Sequence, residues 1–92
     1  MTQDQAEMLA LQALGWLAGN DELLPVFLGA SGASLEDLKT RAAEPGFLLS
    51  VLDFLTMDDA WVMGFCDAHA LPYAAPMQAR EALPGGAQTH WT

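Results

Sequence analysis

The sequence predicts an all-α fold, a compact bundle of five to six short helices around a central apolar helix at about residues 46–56. Apolar residues recur at helical spacing, and capping residues and prolines divide the chain into short segments. The most apolar run, residues 47–55, has more leucine than β-branched residues, and no second strand-like segment could pair with it. We therefore expect one helical domain over residues 1–83, followed by a mobile tail at residues 84–92.

The first two helices are expected in the first third of the chain. Residues 3–18 are mostly good helix formers, and their acids fall in the first turns, where the helix dipole favours them. Gly19 should end this helix, and Asn20 or Asp21 should cap a second one. Pro25 then falls in the first turn of helix 2, where it removes few amide hydrogen bonds.

Helices 3 and 4 follow a turn of small residues. Ser34 and Asp37 match the capping-box pattern, so helix 3 should start at Ser34 and be short and half exposed. Pro45 is suited to open helix 4. Because residues 47–55 are apolar nearly all round, this helix should be buried on several sides and form the centre of the core.

Two further helices complete the predicted bundle. Thr56, Asp58 and Asp59 offer a cap and two acids that suit the dipole at the start of helix 5, which covers about residues 60–69. A last helix at about residues 75–83 should turn Met77 and Leu83 inward.

The charge balance excludes several classes of partner. Twelve acidic residues stand against three basic ones, Lys39, Arg41 and Arg80. So few cations cannot neutralise a nucleic-acid backbone or an anionic membrane surface. We therefore expect no nucleic-acid and no membrane partner.

The chain is expected to be cytoplasmic. Its first residues carry acids where a signal peptide would carry bases, and no apolar run approaches the roughly 20 residues that span a bilayer. The single cysteine, Cys66, cannot form an intramolecular disulfide, which suits a reducing compartment.

Four segments carry a resemblance to a known family: DELLPVFL at residues 21–28, GASLEDL at 32–38, EPGFL at 44–48 and LDFL at 52–55. Together they resemble an uncharacterised family, a domain of unknown function, of short all-helical bacterial proteins common in alphaproteobacteria. The resemblance covers roughly residues 6–83. Its motifs are caps, turns and core residues, so it implies an all-helical fold and no activity, cofactor or functional residue.

Cys66 and His69 are the candidate reactive pair. At i and i+3 they share a helical face, which could suit an activated thiolate or two ligands of a zinc site. Further zinc ligands would have to come from Asp58 or Asp59, or from His90 in the tail. We favour the structural interpretation, a buried thiol and a histidine in the last turn of a helix, and we expect no catalytic residue, cofactor or metal.

Two other patterns have both a functional and a structural interpretation. The turn before Ser34 has the outline of a helix-turn-helix, but Glu36 and Asp37 at the start of its second helix would repel phosphate. The carboxylate pairs Asp21–Glu22 and Asp58–Asp59 could hold a cation, but helix capping is the favoured role.

Four methionines could line an adaptable binding groove, although we expect them in the core. They are Met8, Met57, Met63 and Met77.

The function expected from these features is that of a small acidic non-enzymatic module that binds a protein partner or itself. The alternatives are a small-molecule or metal-binding protein, or minor enzyme, near Cys66 and His69, and a helix-turn-helix regulator. Self-association is expected as a homodimer through a stripe of helix 1 or helix 5, because a small chain should not hide all of its large aromatic residues. These are Trp16, Phe27, Phe47, Phe54, Trp61 and Phe65.

Overall fold

The computed structural model describes residues 1–85, which form six α-helices and no strand. The helices are α1 (Gln3–Ala18), α2 (Leu23–Ser31), α3 (Leu35–Thr40), α4 (Pro45–Leu55), α5 (Asp59–His69) and α6 (Ala75–Ala82). The all-helical prediction is confirmed. Most of the expected mobile tail, residues 86–92, lies outside the described residues. Among residues 1–85, no helix is both long enough and apolar enough to cross a bilayer.

Local capping fixes most of the helix starts. At α3, the Asp37 amide donates to Ser34 Oγ at 3.3 Å and the Ser34 amide donates to Asp37 Oδ2 at 3.0 Å, which is the predicted capping box. Thr2 and Gln5 form a second, unpredicted box at α1. Pro45 is the first residue of α4, where its missing amide proton costs no helical hydrogen bond.

The core is shared between two central helices. Helix α1 packs against α2, α4 and α6, and α4 packs against α1, α2 and α6. The prediction that α4 is central is confirmed, and α1 shares that position with it. The buried residues of α4 are Phe47, Leu48, Val51, Leu52, Phe54 and Leu55.

Most of the large aromatic residues pack against one another in the core. Phe27 packs edge-on against both Phe47 and Phe54, with ring centroids 6.2 and 5.3 Å apart. Trp61 stacks on Phe54 at 4.6 Å. All four phenylalanines are buried, whereas Trp16 and Trp61 are only partly buried, so two of the six large aromatic residues keep some exposed surface.

Helix α6 corrects a further prediction. Leu83 is buried as expected, but Met77 is 44% exposed and does not enter the core. The helix buries Ala75, Pro76 and Ala79 instead. These small side chains let α6 lie close to its neighbours, so no long side chain is needed to fill the space.

The turn after α5 contains a strained residue. Ala70 adopts the left-handed conformation, with φ 55° and ψ 45°, and is the only non-glycine residue with positive φ between residues 1 and 85. Its amide and that of Leu71 both donate to the Cys66 carbonyl. These bonds close the helix end in a conformation that glycine adopts at lower cost.

Candidate functional site

Cys66 is a protected thiol. Its side chain is fully buried in the core, and Sγ donates to the Pro72 carbonyl at 3.4 Å. Burial, and to a smaller extent the charge of Asp67, raises the pKa of the Cys66 thiol. A buried thiol with a raised pKa is a poor source of thiolate, which is the form that attacks substrates and binds metals.

His69 lies at the exposed end of the same helix. Its ring is 4.8 Å from the Phe65 ring, and within residues 1–85 no hydrogen bond joins it to Cys66. The described part of the chain also holds no group of three or more His, Cys, Asp or Glu residues placed to share a metal ion. Of the other zinc ligands considered, Asp58 Oδ1 accepts the Ala60 amide at 2.8 Å, and His90 lies outside the described residues.

A contact between Tyr73 and Asp67 was not predicted. The Tyr73 hydroxyl donates to Asp67 Oδ1 at 2.8 Å, linking the turn after α5 to that helix. This hydrogen bond, followed by the charge of Asp67, raises the pKa of Tyr73. No sequence pattern signals the pair, because it depends on the path of the turn that contains Ala70 and Pro72.

Only one of the two carboxylate pairs caps a helix. Asp58 caps α5, as the favoured role of its pair predicts, whereas Thr56 ends α4 and donates its hydroxyl to the Leu52 carbonyl. Neither Asp21 nor Glu22 caps α2. Asn20 Oδ1 accepts the amides of Glu22 and Leu23, each at 3.1 Å, so Asn20 protects the start of α2. Both acids of the Asp21–Glu22 pair are exposed.

The helix-turn-helix outline is present in α2 and α3. Gly32 takes the left-handed conformation that ends α2, and α3 is only six residues long. Its first turn holds Glu36 and Asp37, and Asp37 is occupied by the capping box. This surface lacks the cationic character of a DNA-reading helix.

The methionines lie on the surface, and their predicted core positions are wrong. All four are exposed, Met57 most of all at 75%. The spacing that places a methionine on a helix face does not show which side neighbouring helices cover.

The described residues contain an apolar groove between the first three helices. It has a volume of about 470 Å³ and one charged residue in its lining. The lining residues are Leu11, Leu14, Gly15 and Ala18 of α1, Leu24 of α2, and Leu35, Leu38 and Lys39 of α3. Leu11 and Leu35 are 40% and 60% exposed, so the groove presents aliphatic surface to solvent.

Sequence reasoning did not identify this groove. The short helix α3 was expected to be half exposed, but its position beside α1 and α2 follows from tertiary packing. A neighbouring depression shares Gly15 with the groove and is lined also by Asp21 and Glu22.

The chain matches one known protein family. A family model described as "Protein of unknown function (DUF3572)" matches residues 3–86. The chain belongs to this family. The match extends from the start of α1 to beyond α6 and confirms the resemblance to an uncharacterised domain. No curated protein and no solved structure matches the chain significantly.

Proposed function

We propose that this protein is a small non-enzymatic interaction module that binds a protein partner through the groove between α1, α2 and α3. The observation that carries the proposal is the exposure of Leu11 and Leu35 around an apolar concavity. Leaving clustered aliphatic side chains in water is unfavourable, and such a patch on a small protein commonly marks a binding surface.

The candidate reactive groups support a non-enzymatic role. Cys66 is buried, hydrogen-bonded and held in its thiol form, whereas a nucleophile needs access and a base. His69 packs against Phe65 with no hydrogen bond to the thiol. The negative charge also opposes a role as a nucleic-acid reader.

Site-specific photocrosslinking tests the proposal in cells that make the protein. A benzophenone amino acid replaces Leu35 in the groove or Val26 on α2, two positions at which the side chain is at least half exposed. Val26 follows Leu24 by two residues, about 200° around the helix, so it is a matched position away from the groove. We expect a discrete protein adduct from position 35 and none from position 26.

The adduct also tests self-association. A product of twice the mass of the chain would identify a second copy, as expected from the sequence. A product of any other mass would identify a different protein. No adduct at position 35, or equal adducts at both positions, would contradict the proposal.

A further inference from the structure

From the charge and spacing of the groove residues we infer that the groove receives an amphipathic helix of another protein, with basic residues beside its apolar row. This inference rests on the proposed function and adds the chemistry of the partner. It is carried by the spacing of residues along α1 and by the acids that lie near the groove, on α1 and in the neighbouring depression.

The groove face of α1 follows a heptad-like spacing. Positions 4, 7, 11, 14 and 18 are separated alternately by three and four residues, the spacing of a seam along which a second helix can lie. The last three are Leu11, Leu14 and Ala18, all of which line the groove. From position 4 to position 18 the seam runs about 21 Å along the helix axis, so the matching partner helix is about 14 residues or more.

Gly15 adds no side chain to the wall of the groove that α1 forms. It lies inside α1, where glycine weakens a helix relative to alanine. A Cβ atom built at this position would meet nothing within 4 Å, so internal packing does not require glycine. Gly15 and Ala18 together leave room for a partner backbone, and glycine is the residue that permits such an approach.

Acids near the groove favour a basic partner. On α1 the seam continues towards the N-terminus with Glu7 and Asp4, one and two turns before Leu11. At the other end, Asp21 and Glu22 line the depression that shares Gly15 with the groove. An apolar helix row flanked by lysine or arginine would place cations near these acids and gain affinity and association rate.

A second copy of this chain does not supply such a helix. It carries a net charge of −9, and its three basic residues are Lys39, Arg41 and Arg80. Arg41 pairs with Glu44 at 3.3 Å, and Arg80 pairs with Asp53. The groove itself contains Lys39, the single place where a basic partner meets a like charge.

Three synthetic peptides provide the test. Each has about 18 residues and a fluorescent label: one has a leucine row flanked by lysine, one has the same row flanked by glutamate, and one has the lysine peptide's composition with its leucines dispersed. Fluorescence anisotropy with the full chain measures binding at low and at physiological salt. The dispersed peptide controls for attraction by charge alone.

We expect the lysine-flanked peptide to bind, with an affinity that falls as salt rises. The glutamate-flanked and dispersed peptides should bind at least about tenfold more weakly. Glu7→Gln should reduce the salt dependence, and Lys39→Gln should strengthen binding by removing the like charge. Equal binding of the lysine and glutamate peptides, or weaker binding on Lys39→Gln, would overturn the inference.

A pair of glycine variants locates the binding surface. Gly15→Ala places a methyl group in the groove, whereas Gly29→Ala makes the same change in α2 at a helical position that is equally free of neighbours. Both changes should strengthen their own helix. We expect Gly15→Ala to weaken peptide binding by about tenfold, through overpacking, and Gly29→Ala to leave it unchanged. Equal effects would place the peptide elsewhere.

The two experiments separate the inference from the proposed function. Crosslinks from position 35 without binding of the lysine-flanked peptide would leave an interaction module with a partner of different chemistry. If neither the crosslinks nor the peptide binding is observed, the proposed interaction module is contradicted as well.

Discussion

Leu52→Ala tests the claim that α4 is one of two central helices. Leu52 is fully buried, and the helix that carries it packs against α1, α2 and α6. The substitution removes three carbon atoms, whose transfer from water contributes about 0.8 kcal/mol each. The cavity left in a core bounded by three helices raises the expected loss of unfolding free energy to about 3 to 5 kcal/mol.

The same substitution at Leu35 is the matched control. Leu35 is 60% exposed, so its truncation leaves no internal cavity. We expect a change within about 0.5 kcal/mol, as for surface substitutions in general. A difference of several kcal/mol between two Leu→Ala variants would therefore measure burial alone.

Urea denaturation followed by far-ultraviolet circular dichroism measures both variants. With a slope of about 1.5 kcal/mol per molar urea, a loss of about 3 kcal/mol moves the midpoint of Leu52→Ala down by about 2 M. The midpoint of Leu35→Ala should stay near that of the parent chain. If the two variants shift equally, or if Leu52→Ala does not shift, then α4 is not central and the reasoning is refuted.

Four further outcomes are expected. Ser34→Ala should lower the unfolding free energy by about 1 kcal/mol through loss of the α3 cap, and Ser31→Ala by clearly less; equal urea midpoints would contradict the placement of the cap. Ala70→Gly should raise the unfolding free energy by about 1 kcal/mol, because glycine relieves the strain of the left-handed conformation. A lower melting temperature of this variant would contradict the prediction. Cys66 should react slowly with a thiol reagent in the native state and rapidly in urea, because the folded chain buries it. Its pKa is raised in the folded state, so the unfolded chain loses the thiol proton first as pH rises. The free energy of unfolding should therefore fall as pH rises past about 9, and it should fall less in Cys66→Ala. Self-association through helix 5, one of the two surfaces expected from the sequence, should tighten as salt screens the charge of −9. Sedimentation velocity at low and at physiological salt measures it, and a monomer in both at tens of micromolar rules it out.

The local features of the fold could be read from the sequence. The Ser34–Asp37 capping box and the start of α4 at Pro45 depend on residues a few positions apart, whose chemistry acts regardless of the rest of the chain. The burial of Cys66 was also predicted, because a single thiol on an apolar helix face is usually a core residue.

Features that depend on which helix covers which face could not be read in this way. Met77 and Leu83 both have apolar side chains in or beside α6, yet only Leu83 is covered. The groove likewise needs α3 to lie beside α1 and α2, an arrangement that no local pattern encodes. Helical periodicity identifies an apolar face, but the depth to which a face is buried depends on neighbours distant in sequence. The sequence by itself therefore determined the helices, the α3 cap and the acidic charge. Only the tertiary structure decided that the phenylalanines are buried while Leu11, Leu35 and the methionines face solvent, because burial depends on contacts between distant segments.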